Sequence, residues 1–224
     1  MENNGFRDLR LFYTKTGSAK YISHLDVMRA FQRAFRRSKI PVWYTEGFHP
    51  HLYLTFALPL SLGYESLSES VDFRVTGEIS DDDLSSRLAE ALPPGFRVMS
   101  VAPPEMEPSA IKYAVYDVSF KVPQAGRDAV AAAWRECFGA QQVNVHKRTK
   151  HGEKTVDIKP SIVLTDIKED GGLYSVEMKL AAGTEFNVNP SLVFEAFEKS
   201  SGLTTAEHTV IRKAVLIENG ENFR

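Results

Sequence analysis

Twice along this chain of 224 residues the apolar positions switch from every second residue to every third or fourth and back. A proline-rich segment, Pro103-Pro104-Glu105-Met106-Glu107-Pro108, separates the two rounds. A period of two marks a strand with one buried face, and a period near 3.6 marks an amphipathic helix. In the first half, alternation predicts strands over residues 9–13, 42–44, 52–58, 71–75 and 96–101. Helical spacing predicts a helix from Ser23-His24 to just before Pro41, and a second opened by Ser80 and stopped by Pro93-Pro94-Gly95. In the second half, strands are predicted over 113–122, 141–148, 155–158, 162–167, 173–180 and 209–217. Helices are predicted over 127–138 and from Pro190 to Lys199. Each half therefore reads approximately as β-α-β-β-α-β. That order predicts an α+β chain of two tandem ferredoxin-like (βαββαβ) domains with antiparallel sheets, placed at 1–103 and 111–224. Residues 104–110 form a stiff linker, because proline at that density favours an extended connection.

The helix after Ser23 carries the most specific local signals. The Ser23 hydroxyl can accept from the first free backbone N–H groups, and Asp26, three residues on, can reach back. Val27, Met28, Phe31, Ala34 and Phe35 share one side. Arg29, Arg33, Arg36 and Arg37 cluster on another, with Lys15 and Lys20 in the preceding loop. Guanidinium and ammonium groups neutralise phosphates and release counterions, so this stripe is a candidate nucleic-acid surface. Tyr21, Trp43, Tyr44, Phe48 and Tyr53 lie near it in sequence and could stack on unpaired bases. The segment His146 to Lys154 supplies a second basic tip. The alternative is a solvated face, or pairing with carboxylates such as Asp26 and Glu46. Net charge is -2, so nucleic-acid affinity would have to come from a local patch.

His24, His49 and His51 are the candidates for chemistry. Imidazole titrates near neutral pH and could act as acid and base. A metal would need three or four converging ligands, which two or three histidines do not guarantee. The plainer alternative has His24 helping to cap its helix and the other two bonding the loop backbone. Phosphate-binding, dinucleotide-binding and serine-hydrolase motifs are missing from the sequence. The lone cysteine, Cys137, cannot form an internal disulfide or by itself hold an iron–sulfur cluster, and no cofactor is expected. With 43% hydrophobic and 25% charged residues and no apolar run near the roughly 20 residues of a membrane helix, a cytoplasmic globular protein without membrane contact is expected.

Four segments resemble a known family. The first is LRLFYTKTGSAKYISHLDVMRAFQRAFRRSKIPV and the second YTEGFHPHLYLTFALPLSLGYES; both are long and specific. KTVDIKP and NVNP add two short matches. Together they are similar to the radical SAM-linked family of unknown function, bacterial proteins encoded beside or fused to a radical SAM protein. The resemblance implies a radical SAM partner and not a reaction. The resulting expectation is a non-catalytic accessory protein, an RNA-binding module that presents tRNA or rRNA to that enzyme. Lys15, Lys20, Arg29, Arg33, Arg36, Arg37, Phe48, His49 and His51 would touch the RNA; DNA is not an expected partner. Two alternatives stay open: an interaction subunit without RNA contact, and a His-dependent RNA-processing or metal-dependent enzyme.

Overall fold

The computed structural model describes residues 5–149, 152–184 and 186–224. The chain divides into two units, Met1–Ala110 together with Asn222–Arg224, and Ile111–Glu221. The described residues form an α+β fold of four α-helices and antiparallel sheets.

The first unit runs β1 (Arg7–Lys15), α1 (His24–Arg37), β2 (Leu54–Phe56), β3 (Glu65–Val75), α2 (Asp81–Ala91) and β4 (Phe96–Ala102). Its strands lie in the order β4-β1-β3-β2, all antiparallel. Leu9, Leu11 and Tyr13 of β1 and Val71, Phe73 and Val75 of β3 point to one face. There they pack with Phe31 and Phe35 of α1 and Leu84 and Leu88 of α2 as the core of this unit. Tyr13 and Phe31 meet at 4.8 Å, and Phe35 and Phe73 likewise at 4.8 Å. Side chains of this size bury most of the apolar area that drives folding.

Both helix starts follow the sequence signals. Ser23 Oγ accepts from the Asp26 N–H at 3.2 Å and donates to its carboxylate at 2.7 Å. Ser80 accepts from the Asp83 N–H at 3.2 Å. The buried set Val27, Ala30, Phe31, Ala34 and Phe35 recurs at helical spacing, with Met28 half-buried at its margin. The predicted strand at 42–44 is not a ladder. Val42 and Tyr44 instead make single bridges to Val75 and Leu52, which leaves residues 45–51 as a protruding loop.

The opposite face of the first sheet carries Arg10, wholly buried. Its guanidinium grips its cross-strand neighbour Asp72 through two bonds of 2.6 and 2.8 Å. A third donor reaches the Arg224 main-chain oxygen at 2.6 Å, and the Phe223 ring lies 4.3 Å below the guanidinium carbon. These contacts bring Asn222–Arg224 into the first unit.

Gly95 holds the turn into β4 against the loop after β1. Thr16 donates its N–H to the Gly95 carbonyl at 2.8 Å. Gly95 has φ +89°, and a Cβ there would lie 2.6 Å from Ala19 Cβ and 2.7 Å from the Thr16 carbonyl oxygen. Gly95→Ala combines a disfavoured backbone with a clash against main chain. It is expected to lower the unfolding free energy by about 2–4 kcal/mol in urea titration. A change under about 0.5 kcal/mol would mean that the loop yields freely.

The second unit runs β5 (Ile111–Lys121), α3 (Arg127–Gly139), β6 (Asn144–Thr149), β7 (Gly152–Asp157), β8 (Ile162–Leu164), β9 (Lys168–Asp170), β10 (Leu173–Ala181), α4 (Pro190–Ser201) and β11 (Ala206–Ile217). Its sheet order is β11-β5-β10-β8, again antiparallel, with β9 also on β10. β6 and β7 form a separate two-stranded ladder. Phe120 centres the core, 5.8 Å from Trp134, 5.8 Å from Tyr174 and 5.0 Å from Phe194. Cys137 is buried in α3, and desolvation pushes its thiol up, away from the reactive thiolate.

Candidate nucleic-acid interface

Helical geometry places Arg29, Arg33 and Arg36 within an arc of about 60°. The arc lies opposite the buried side of α1, and all three side chains are exposed. Arg29 meets Asp26 at 3.2 Å, an exposed pair one turn apart. Asp26 is held below the usual carboxylate range, first by the Ser23 hydroxyl and then by Arg29. Among the described residues Arg36 has no ion-pair or hydrogen-bond partner. Arg37 turns towards α2 and donates to the Ala91 carbonyl at that helix's last turn. A cation there satisfies a free carbonyl and opposes the negative end of the helix. Three of the four arginines thus form one outward stripe, and the fourth joins α1 to α2.

The two lysines do not extend the stripe equally. Lys20 is half-buried, pairs with Glu65 at 3.4 Å and lies 5.3 Å from the centre of the Tyr21 ring. Lys15 is 2% exposed and points to the helix-covered face of the sheet. It therefore does not stand on an RNA-facing surface with the arginines. Sequence alternation contains this answer, since Lys15 continues the buried series Leu9, Leu11, Tyr13.

Lys15 belongs instead to a polar group that the sequence reading passed over. Ser66 and Glu69 of β3 pair in register with Lys15 and Tyr13, and all four are buried. His24, in the first turn of α1, is affected by both charges. Desolvation lowers its pKa first, Glu69 raises it and Lys15 lowers it further. Its ring packs edge-on against Phe56 at 5.1 Å, and Phe56 against Phe31 at 5.5 Å.

His49 and His51 lie in the exposed loop between Tyr44 and Leu52. His51 Nδ1 stands 2.9 Å from Thr45 Oγ1 and 3.1 Å from the His49 carbonyl, so it braces its own loop. The Phe48 ring at the tip is fully exposed, Tyr21 is mostly exposed and Tyr44 is exposed in part. Trp43 and Tyr53 are committed elsewhere. With Phe6 they surround the Arg74 guanidinium at 5.1, 4.4 and 4.2 Å. Arg74 also pairs with Asp8 at 2.6 Å. Among the described residues no group of three or more His, Cys, Asp or Glu could hold a metal ion.

In the second unit the short shared motifs are structural. The Asp157 carboxylate accepts from the Val143 and Lys159 N–H groups at 2.8 and 3.0 Å. The Lys159 ammonium donates to the Phe138 carbonyl at the end of α3. Asn189 caps α4 by accepting from the Ser191 N–H at 3.0 Å, with Pro190 in the first turn. In the basic hairpin, Lys147 donates to the Asn187 carbonyl at 2.9 Å and sits 4.3 Å from the Phe186 ring centre. Lys150 and His151 lie outside the described residues.

No described helix is long and apolar enough to cross a membrane. No curated protein matches the chain. Among solved structures, one similar chain is an unknown protein from Galdieria sulphuraria, at 10% identity and TM-score 0.28 over 92% of this chain and 98% of that one. Another is a DypB variant in complex with manganese, at 11% identity and TM-score 0.24 over 91% of each chain. A third is a Rhodococcus jostii RHA1 DypB variant in complex with heme, at 11% identity and TM-score 0.23, again over 91% of each. Likeness this slight defines neither fold nor activity. The family model for "Uncharacterized protein conserved in bacteria (DUF2344)" matches residues 8–190. That span takes in β1, the arginine helix, the 45–51 loop and the Asp157-Lys159 brace, and the chain belongs to this conserved bacterial family.

Proposed function

We propose that this chain is a non-catalytic RNA-binding module that presents tRNA or rRNA to a partner radical SAM enzyme. One observation carries the reading: Arg29, Arg33 and Arg36 form a cationic stripe on the outward face of α1, with Asp26 paired to Arg29 at one end. Arginine is suited to this task because its planar fork binds phosphate oxygens in pairs. The exposed Phe48 ring offers a stacking surface for an unpaired base, with His49 and His51 beside it. The radical SAM partner rests on the family resemblance of the sequence motifs. Two tandem ferredoxin-like units are part of the same reading. The strand orders β4-β1-β3-β2 and β11-β5-β10-β8, with every neighbouring pair antiparallel, support it.

A second reading has an observation of its own. Tyr21, Leu25 and Leu62 are exposed near the start of the stripe, and the Gly63 N–H donates to the Lys20 carbonyl, which draws the Leu62 loop to this end of α1. Apolar side chains beside a charged row suit a protein surface, here the radical SAM enzyme, without RNA contact.

Crosslinking and sequencing of bound cellular RNA across a salt series separates the two. Three phosphate contacts predict an affinity loss of about 20–40-fold between about 0.05 and 0.2 M salt. Enrichment of one RNA class with that slope is the expected result. No enrichment above an unrelated acidic protein overturns RNA binding. Retention of the enzyme after nuclease treatment would then favour the second reading.

A further inference from the structure

The second unit contains a cavity of about 300 Å³ that the RNA reading does not use. One wall is the first three turns of α3, with Arg127, Asp128 and Arg135. The other is the connection from β8 to β9, with Asp166, and β9 itself, with Glu169. Tyr174 of β10 lines the cavity between them. It is 3% exposed, and its ring is stacked on Phe120 in the core. Among the described residues its hydroxyl has no hydrogen-bond partner. The core buries the ring, whereas the hydroxyl is not sealed in with it and opens into the cavity, where a ligand oxygen can meet it. The charges that act on this hydroxyl are Glu169 and Arg127, both in the cavity walls, although desolvation is the larger cause of its raised pKa. The helix beside it is also incomplete: the N-cap is Gly126, which has no side chain to accept from the first-turn N–H groups.

We propose that this cavity binds a small zwitterion of the α-amino-acid class, with its carboxylate on Arg127 and the Tyr174 hydroxyl and its ammonium on Asp166 and Glu169. The charges of the walls select the class. Two guanidinium groups along one wall, both on exposed side chains, disfavour a polyamine. Three carboxylates disfavour phosphate and other polyanions. A molecule with one charge of each sign, a few bonds apart, satisfies both sides. Glu169 leaves room for it. One of its oxygens accepts from the Gly172 N–H at 2.7 Å, and the other stands 4.0 Å from Arg127 Nε, a loose pair that a ligand oxygen and ammonium can replace. Size points the same way, because ligand cavities span about 300–1,000 Å³ and this one is at the small end.

Calorimetric titration of the full chain with each proteinogenic L-amino acid tests the site, with inorganic phosphate and putrescine as probes of one charge sign. At least one amino acid is expected to bind with Kd below about 10 mM, while the two controls do not. Tyr174→Phe keeps the ring stack and should weaken that binding about tenfold at unchanged Tm. Arg127→Ala, on the exposed wall, should do at least the same, and it supplies the reading if the tyrosine variant misfolds. Three results would each overturn the proposal: no amino acid bound at about 10 mM, phosphate or putrescine bound as well, or affinity indifferent to both substitutions.

Discussion

Arg10→Met is expected to remove about 3–5 kcal/mol of unfolding free energy, a large part of what a domain ordinarily possesses. Methionine matches the arginine stem in bulk, so little packing is lost. What disappears is the partner of Asp72. Arg10 is wholly buried and the Asp72 side chain is 16% exposed, so water reaches the stranded carboxylate poorly. The main-chain oxygen of Arg224 loses one of its two donors in the same step, keeping the Met106 N–H at 3.0 Å, and the Phe223 ring loses the guanidinium stacked on it. A second effect follows from position: Asn222–Arg224 should detach from the first unit and become accessible to protease before the rest of the chain unfolds. Urea titration and timed proteolysis with mass spectrometry report the two effects separately. The double variant Arg10→Met with Asp72→Leu should recover most of the loss, because a missing pair costs far less than half of one. A single variant within about 1 kcal/mol of the parent protein would show that water, and not arginine, satisfies Asp72.

The elements that the sequence displayed best are those whose signals were local. Ser23, Asp26 and the spacing of Val27, Phe31, Ala34 and Phe35 define α1 without reference to any other segment, and the structure keeps both the cap and the face. β3 was legible only in its second half. Residues 71–75 alternate cleanly, whereas Glu65, Ser66, Ser68 and Glu69 look like a polar turn and nevertheless continue the strand to Glu65. Their inward positions are filled by Ser66 and Glu69, whose partners Lys15 and Tyr13 lie on β1. A buried polar pairing between distant strands has no periodic signature. The same non-local cause hid Trp43 and Tyr53, which looked available for base stacking until Arg74 and Phe6, both distant in sequence, were found beside them. Lys15 is different in kind. Its burial follows from continuing the alternation of β1 by two residues, and a reading centred on charge overlooked it.

Reversing the stripe, Arg29→Glu with Arg33→Glu and Arg36→Glu, is expected to reduce RNA affinity by at least about 100-fold at about 0.1 M salt. Removing three phosphate contacts alone predicts a loss of that order, and three new negative charges facing phosphates add repulsion. The salt slope should fall together with the affinity, by about two to three in log–log units. That change separates loss of phosphate contacts from a general weakening. The fold should survive, because all three side chains are exposed and the Arg29–Asp26 pair is a surface contact that salt already screens. Arg37 is left in place on purpose, since its bond to the Ala91 carbonyl ties α1 to α2 and its loss would confound binding with stability. Circular dichroism and the urea midpoint verify the fold, and filter binding across salt gives the affinity and slope. An unchanged slope with an intact fold would remove α1 from any RNA surface. The exposed Tyr21, Leu25 and Leu62 would then become the part of this end of the first unit to test against a protein partner.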